Sequence, residues 1–204
     1  MAVEAVTATK FAPEEARTPE EIDAEWKGNE HRYFWHTRGH QLLVPQYLHG
    51  NVLDIGCGAG YMAAWTFPNE AHYTGVDRSA EALRQAKGLF PAAHFHQVDI
   101  EKEELPFSDQ SFDTVVLSEV LEHLPNHAWV LPEAMRVSRL YMVVTVPINM
   151  PGVGHVHPEW SYRRMIELGA QLGTLIEFRR LFEMNTQLIW VRTRGVVIKE
   201  VRTV

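Results

Sequence analysis

Three glycines at alternating positions, Gly56, Gly58 and Gly60, follow directly on the apolar run Val52-Leu53-Asp54-Ile55. An apolar strand that runs into such a turn, and then into a helix-compatible segment, can reverse sharply and leave backbone N–H groups uncovered. That is the ligand-binding corner of a doubly wound α/β sheet, where ligands sit outside the carboxyl ends of the strands. Two acids sharpen the reading. Asp54 lies inside the strand, where a carboxylate is costly unless something pairs with it. Tyr73-Thr74-Gly75-Val76-Asp77 reads as a second short strand that ends in an acid, the position from which a carboxylate accepts hydrogen bonds from ribose hydroxyls.

Four motifs then stand in order: the strand and glycine turn from Val52 to Gly60, Gly75-Val76-Asp77-Arg78-Ser79, a carboxylate at Asp99, and the run Phe112-Asp113-Thr114-Val115-Val116-Leu117-Ser118-Glu119-Val120-Leu121-Glu122-His123-Leu124. Together they resemble the class I S-adenosylmethionine-dependent methyltransferases, in particular the small-molecule group with a type 11/12-like domain. The resemblance spans Arg38 to Pro147. It implies a Rossmann-like, doubly wound, seven-stranded and mostly parallel sheet with an antiparallel C-terminal edge hairpin. It also implies S-adenosyl-L-methionine as cofactor, with Arg38, Asp54, Gly56, Cys57, Gly58, Gly60, Asp77, Arg78, Asp99, Ile100 and Ser118 as binding positions. In the resembling family the acid at Asp99 takes the adenine amine and the residue at Ile100 packs on the ring.

The main rival is an NAD(P)-dependent oxidoreductase. Its fingerprint is G-x-G-x-x-G, whereas here the glycines fall as G-x-G-x-G with Asp54 in front, and no Tyr-x-x-x-Lys pair is readable. A second rival is a non-catalytic S-adenosylmethionine-binding module.

Composition narrows the classes further. The 204 residues suit one domain with a full core, and 46% hydrophobic against 22% charged residues is ordinary for a globular chain. A net charge of -7 argues against a non-specific polyphosphate-binding surface, so no nucleic acid is expected as partner. Cys57 is the only cysteine, which excludes an intrachain disulfide and a cysteine zinc cluster. No basic start leads into an apolar run and no stretch reads as a membrane span, so a cytoplasmic protein without membrane contact, monomer or homodimer, is expected.

Residues 1–19 are short of large apolar side chains and read as a flexible N-terminal arm. Residues 20–204 read as a single domain, of which 20–48 are N-terminal cover helices. Thr18-Pro19-Glu20-Glu21 carries the marks of a capped helix start. A second helix within residues 29–48 is rich in aromatics, Tyr33, Phe34 and Trp35 among them. It either packs on the sheet edge or forms a lid from which Arg38 pairs a carboxylate. Helices are expected over residues 61–67, 79–89, 126–138 (with Pro132 starting or kinking it) and 160–171. Strands are expected over residues 71–77, 93–98, 114–117, 140–146, 175–182 and 187–198.

Methyl transfer needs alignment of a nucleophile and exclusion of water more than it needs reacting side chains. If the acceptor is an alcohol, a base must take its proton, and histidine is suited to that near neutral pH. His155 and His157 stand in the loop after the fifth strand, on the side from which an acceptor approaches. His123, four residues after Glu119, is placed to share a helix face with it. These four residues are the catalytic candidates. An H-x-H pair near Glu119, Glu122 or Glu159 is also the pattern of a divalent metal site, but loop histidines are usually solvated, so no metal is expected. Cys57 reads as a small space-filler. Without an Asn-Pro-Pro-Tyr type motif after the fourth strand, the expected acceptor is an oxygen or nitrogen of a small molecule, such as a sugar or natural-product intermediate.

Overall fold

A computed structural model of the chain describes residues 18–27, 47–66, 69, 72–147, 156, 161–172, 174–181 and 186–192. Arg38, His155, His157, the aromatic stretch around Tyr33 and the expected arm at residues 1–17 lie outside the described residues.

Helix α1 (Pro19–Trp26) begins as its sequence dictates. Thr18 Oγ1 accepts the Glu21 N–H at 3.2 Å, and the Glu21 carboxylate accepts the Thr18 N–H at 2.8 Å. This reciprocal box satisfies two donors that a helix start otherwise leaves open.

The strands are β1 (Val52–Ile55), β2 (Tyr73–Asp77), β3 (His94–Gln97), β4 (Phe112–Ser118), β5 (Ser138–Pro147), β6 (Thr174–Leu181) and β7 (Thr186–Arg192). They lie in the order β3-β2-β1-β4-β5-β7-β6. The first five are mutually parallel, and β7 runs antiparallel to both β5 and β6. The doubly wound parallel core is the expected one. The chain builds outward from β1 to β3 in one direction and from β4 onward in the other, so the switch point lies between β1 and β4. The carboxyl ends of both strands therefore carry the glycine turn and Ser118-Glu119 into one crevice.

Strand periodicity sets the two faces of the core. Leu53, Ile55, Val115, Leu117, Met142, Val144 and Val146 point to one side, where α3 (His127–Val137) supplies Val130, Leu131, Ala134 and Val137. Val52, Tyr73, Phe95, Val116 and Val143 point to the other, where α2 (Ala80–Leu89) supplies Leu83 and Ala86. Ser79 caps α2 by accepting the Ala82 N–H at 3.1 Å, as its sequence promises. Helix α4 (Tyr162–Leu172) precedes β6.

One helix departs from expectation. Tyr61–Thr66 is a 3₁₀ segment rather than an α-helix, opened by an Ala63 N–H to Gly60 C=O bond at 2.9 Å. Only seven residues stand between Gly60 and Pro68, which cannot donate, so a run of α-type bonds is short at best. Of the two expectations for Pro132, the start of the helix is not met: it sits inside α3, at the loss of one helical hydrogen bond.

Leu131 is 1% exposed and central to the α3 face. Leu131→Ala is expected to lower stability by roughly 2–5 kcal/mol in urea denaturation, with the far-ultraviolet circular dichroism of the native state unchanged.

Candidate active site

The glycine turn adopts left-handed backbone at Gly56 (φ 72°), Gly58 (φ 52°) and Gly60 (φ 73°). At Gly58 a second constraint adds to the first: a Cβ there would stand 2.7 Å from Cη2 of Trp26. Any other residue would be both strained and overpacked.

The turn's N–H groups are not left uncovered, contrary to expectation. Gly56 and Cys57 both donate to Val76 C=O, at 2.8 and 3.1 Å, and Gly60 donates to Cys57 C=O at 2.9 Å. Gly58 donates to Asp77 Oδ2 at 2.9 Å. A phosphate cradle requires free N–H groups converging on an anion. Here the Gly56, Cys57 and Gly58 donors bind the turn to β2 and the Gly60 donor closes within the turn, so these four are not free to converge on a phosphate.

Asp77 is the hub of that clasp. Its Oδ1 also accepts the Ser79 N–H at 2.8 Å. Burial raises its carboxyl above the ordinary range, and the Ser79 and Gly58 N–H groups oppose the rise. Each carboxylate oxygen has a further lone pair beyond the bond it accepts. Asp77 can thus serve hydroxyl donors of a ligand while it holds the turn.

Asp54 is placed differently. It faces the α2 side, 4% exposed, and accepts the Tyr73 hydroxyl at 2.5 Å. Burial pushes its carboxyl up to about 7, the Tyr73 bond opposes this, and the Asp77 charge adds to it. Two acids under one turn offer hydroxyl-accepting carboxyl oxygens beneath it. Burial also raises the Cys57 thiol well above its usual range. A thiol so held is inert, as expected of a space-filler.

The remaining candidates ring the same edge. Arg78 pairs with Glu101 at 3.5 Å, and Asp99 pairs with Lys102 at 2.7 Å. Ile100, 7% exposed, joins the core on the α3 side. Ser118, at the end of β4, shares a 2.9 Å hydrogen bond with Thr145 of β5.

Glu119 and Glu122 form the second charged group. Glu119 has φ 56°, left-handed backbone that costs a non-glycine residue about 1–3 kcal/mol. Its N–H is held by Thr145 C=O at 3.0 Å and by Thr145 Oγ1 at 3.1 Å. This reversal ends β4, and only a single 3₁₀ turn, Leu121–His123, comes after it. Glu119 and His123 therefore do not share an α-helical face. His123 Nε2 instead stands 3.8 Å from Glu122 Oε1. Glu122 is 1% exposed. Glu119 Oε1 and Glu122 Oε2 are buried without a hydrogen-bond partner, which is rare in folded proteins and marks a functional candidate. Burial raises the Glu119 carboxyl to about 7, with the Thr145 hydroxyl opposing. Glu122 is driven well above its ordinary range by burial and by the Glu119 charge. Among the described residues no group of three or more His, Cys, Asp or Glu is arranged to hold a metal ion.

Trp26, Tyr73 and Thr145 were not among the residues singled out from sequence. Tyr73 and Thr145 are legible only once strand register sets them beside Asp54 and Ser118. Trp26 has no local signal.

Comparison with known proteins places this geometry. Residues 53–140 match the family described as "Methyltransferase domain". The chain is 35% identical over 112 residues to a demethylmenaquinone methyltransferase of Listeria welshimeri, a match covering 50% of this chain and 48% of the relative. It is 29% identical over 152 residues to the ubiquinone/menaquinone biosynthesis C-methyltransferase UbiE of Bartonella tribocorum, covering 68% of this chain and 58% of the relative. The chain thus spans about half the length of the curated relatives it matches. A crystal structure of a TehB-like SAM-dependent methyltransferase from Corynebacterium glutamicum superposes with a TM-score of 0.63 at 16% identity, covering 84% of this chain and 99% of that one. Among the described residues no helix is long and apolar enough to cross a membrane.

The raised acids give a sign to the pH dependence. In the folded state Asp54 and Glu119 keep their protons up to about pH 7, whereas the unfolded chain releases them near pH 4. Between these values the folded state binds more protons than the unfolded, so stability falls as pH rises. Urea denaturation at pH 5 and pH 8 is expected to show this decline, and Asp54→Asn to flatten it by roughly 1–3 kcal/mol.

Proposed function

Because residues 53–140 belong to the methyltransferase domain family, and the chain with them to the class I S-adenosylmethionine-dependent methyltransferases, we propose that this protein binds S-adenosyl-L-methionine at the glycine turn and methylates a small-molecule acceptor in the crevice between β1 and β4. The observation that carries the reading is the closed hydrogen-bonding of the turn onto Val76 and Asp77. It leaves no cradle for a pyrophosphate and so tells against a nicotinamide dinucleotide. It keeps an acid at the end of β2 for hydroxyl groups, as an adenosyl ligand requires. In this reading the β6–β7 hairpin completes the sheet at its C-terminal edge.

The cofactor supplies an electrophilic methyl group on a sulfonium. The residues that would hold it are Asp77, Gly56, Cys57, Gly58 and Gly60 at the turn, Asp54 beneath them, Arg78, Asp99, Ile100 and Ser118 along the edge, and Arg38. Glu119 is the acceptor-side base best supported by geometry, since it follows β4 at the crevice and its carboxyl changes charge near neutral pH. The Glu119 charge raises the proton affinity of Glu122, and His123 Nε2 stands 3.8 Å from Glu122 Oε1. His155 and His157, outside the described residues, are the alternative bases in this reading.

For the acceptor, oxygen or nitrogen of a sugar-like or natural-product intermediate is the reading from sequence. The activity of the relatives favours a second one, a carbon of a quinone precursor. Deprotonation of a ring hydroxyl by Glu119 serves either route, and the position of the methyl group in the product separates them.

Isothermal titration with S-adenosylmethionine, S-adenosylhomocysteine and NADH tests the core of this. Both sulfur ligands are expected to bind the wild-type protein, and Asp77→Ala to weaken them roughly ten- to hundredfold by removing the carboxyl that accepts the ligand hydroxyls. Binding of NADH alone overturns the reading.

A further inference from the structure

Helix α1 lies outside the segment shared with the family, yet it is fastened to the edge of the site. Asp23 Oδ1 accepts the Ser79 hydroxyl at 2.5 Å and the Glu81 N–H at 3.2 Å, so it caps α2 from outside. The Gln85 side-chain amide donates to Trp26 C=O at 2.9 Å, and Ile22 is buried at 7% exposure. Ser79 in turn donates its N–H to Asp77. A chain of hydrogen bonds therefore runs from α1 through Ser79 to the acid that clasps the glycine turn.

These contacts set the Trp26 indole on the turn itself. Its Cη2 and Cζ2 atoms stand 2.7 and 2.8 Å from where a Gly58 Cβ would be. The absent side chain at Gly58 is thus matched by a ring from α1. Trp26 is only partly buried, and its indole offers an apolar face that stacks on a heterocycle or attracts a cation.

We propose that Trp26 is a binding residue for the adenosyl sulfur ligand, its indole forming the wall of the pocket that faces Gly58, so that α1 is part of the site. This rests on the glycine turn being the S-adenosylmethionine site. Ligand binding then holds α1 in place, because ligand and helix contact the same turn.

Titration of S-adenosylhomocysteine into the wild type, Trp26→Ala and Trp26→Phe, with thermal unfolding of each, tests the proposal. Trp26→Ala is expected to bind about tenfold more weakly and Trp26→Phe within about threefold of the wild type, since an aromatic face is what the ligand needs. Hydrogen exchange of the wild type needs no variant: amides of residues 19–27 are expected to slow severalfold on addition of S-adenosylhomocysteine. If the wild type binds but Trp26→Ala binds equally well or tighter, or if exchange at residues 19–27 is unmoved, the proposal falls while the reading of the turn stands. If the wild type does not bind, both fall.

Discussion

The hydrogen bond from Gly58 N–H to Asp77 Oδ2 joins the first loop of the sheet to the end of its second strand, and the rest of the site depends on it. It fixes the turn in a left-handed conformation that glycine alone adopts cheaply. It uses a carboxylate to do so, and that carboxylate also caps Ser79 at the start of α2. Turn, strand and helix thereby share one anionic centre. Because the neighbouring N–H groups close on Val76, the turn presents the ligand with shape and negative charge rather than with donors. A loop of the same glycine content with its donors free would recognise phosphate. Here the destination of each N–H separates the two ligand classes more sharply than glycine count does.

A second constraint is the cost of the acids. Asp54, Glu119 and Glu122 all lie buried, and each is pushed up the pH scale chiefly by lost solvation. Buried carboxylates weaken a fold unless they are paired. Asp54 accepts the Tyr73 hydroxyl, and Glu119 has the Thr145 hydroxyl of β5 as its partner. At Glu119 the strain of a left-handed backbone is added, offset by its N–H donating to Thr145 C=O and Oγ1. Strain and buried acids at the carboxyl edge of β4 coincide where a doubly wound sheet places its ligand. That coincidence is what a site maintained against stability looks like.

The parallel core was legible because its signals are local. Val52 to Ile55 and Thr114 to Leu117 are apolar runs that only a doubly covered sheet accommodates, and Thr18 and Ser79 announce their helices by capping chemistry. The failures have equally definite causes. The segment after the turn looked helical by composition, but in the short span between Gly60 and Pro68 it takes a 3₁₀ form. Glu119 and His123 looked like neighbours on a helix, and the reversal at Glu119 removed the helix. The free donors expected at Gly56 and Gly58 were lost to Val76 and Asp77, partners that only strand register brings close. Trp26 could not be placed at all, since its position depends on Asp23 meeting Ser79 across more than fifty residues.

Where specificity for the acceptor resides follows from the same topology. The segment shared with the family ends within β5, and what it contains is cofactor scaffold plus the acid turn after β4. The chain beyond β5 returns to that turn, since Val156 N–H donates to Glu122 C=O at 2.8 Å. The carbonyl belongs to the residue whose side chain is the most deeply buried acid of the site. This backbone bond ties a described point of the chain after β5 to the turn that follows β4, where Glu119 and Glu122 lie buried. A scaffold shared across a family leaves specificity to the elements added around it.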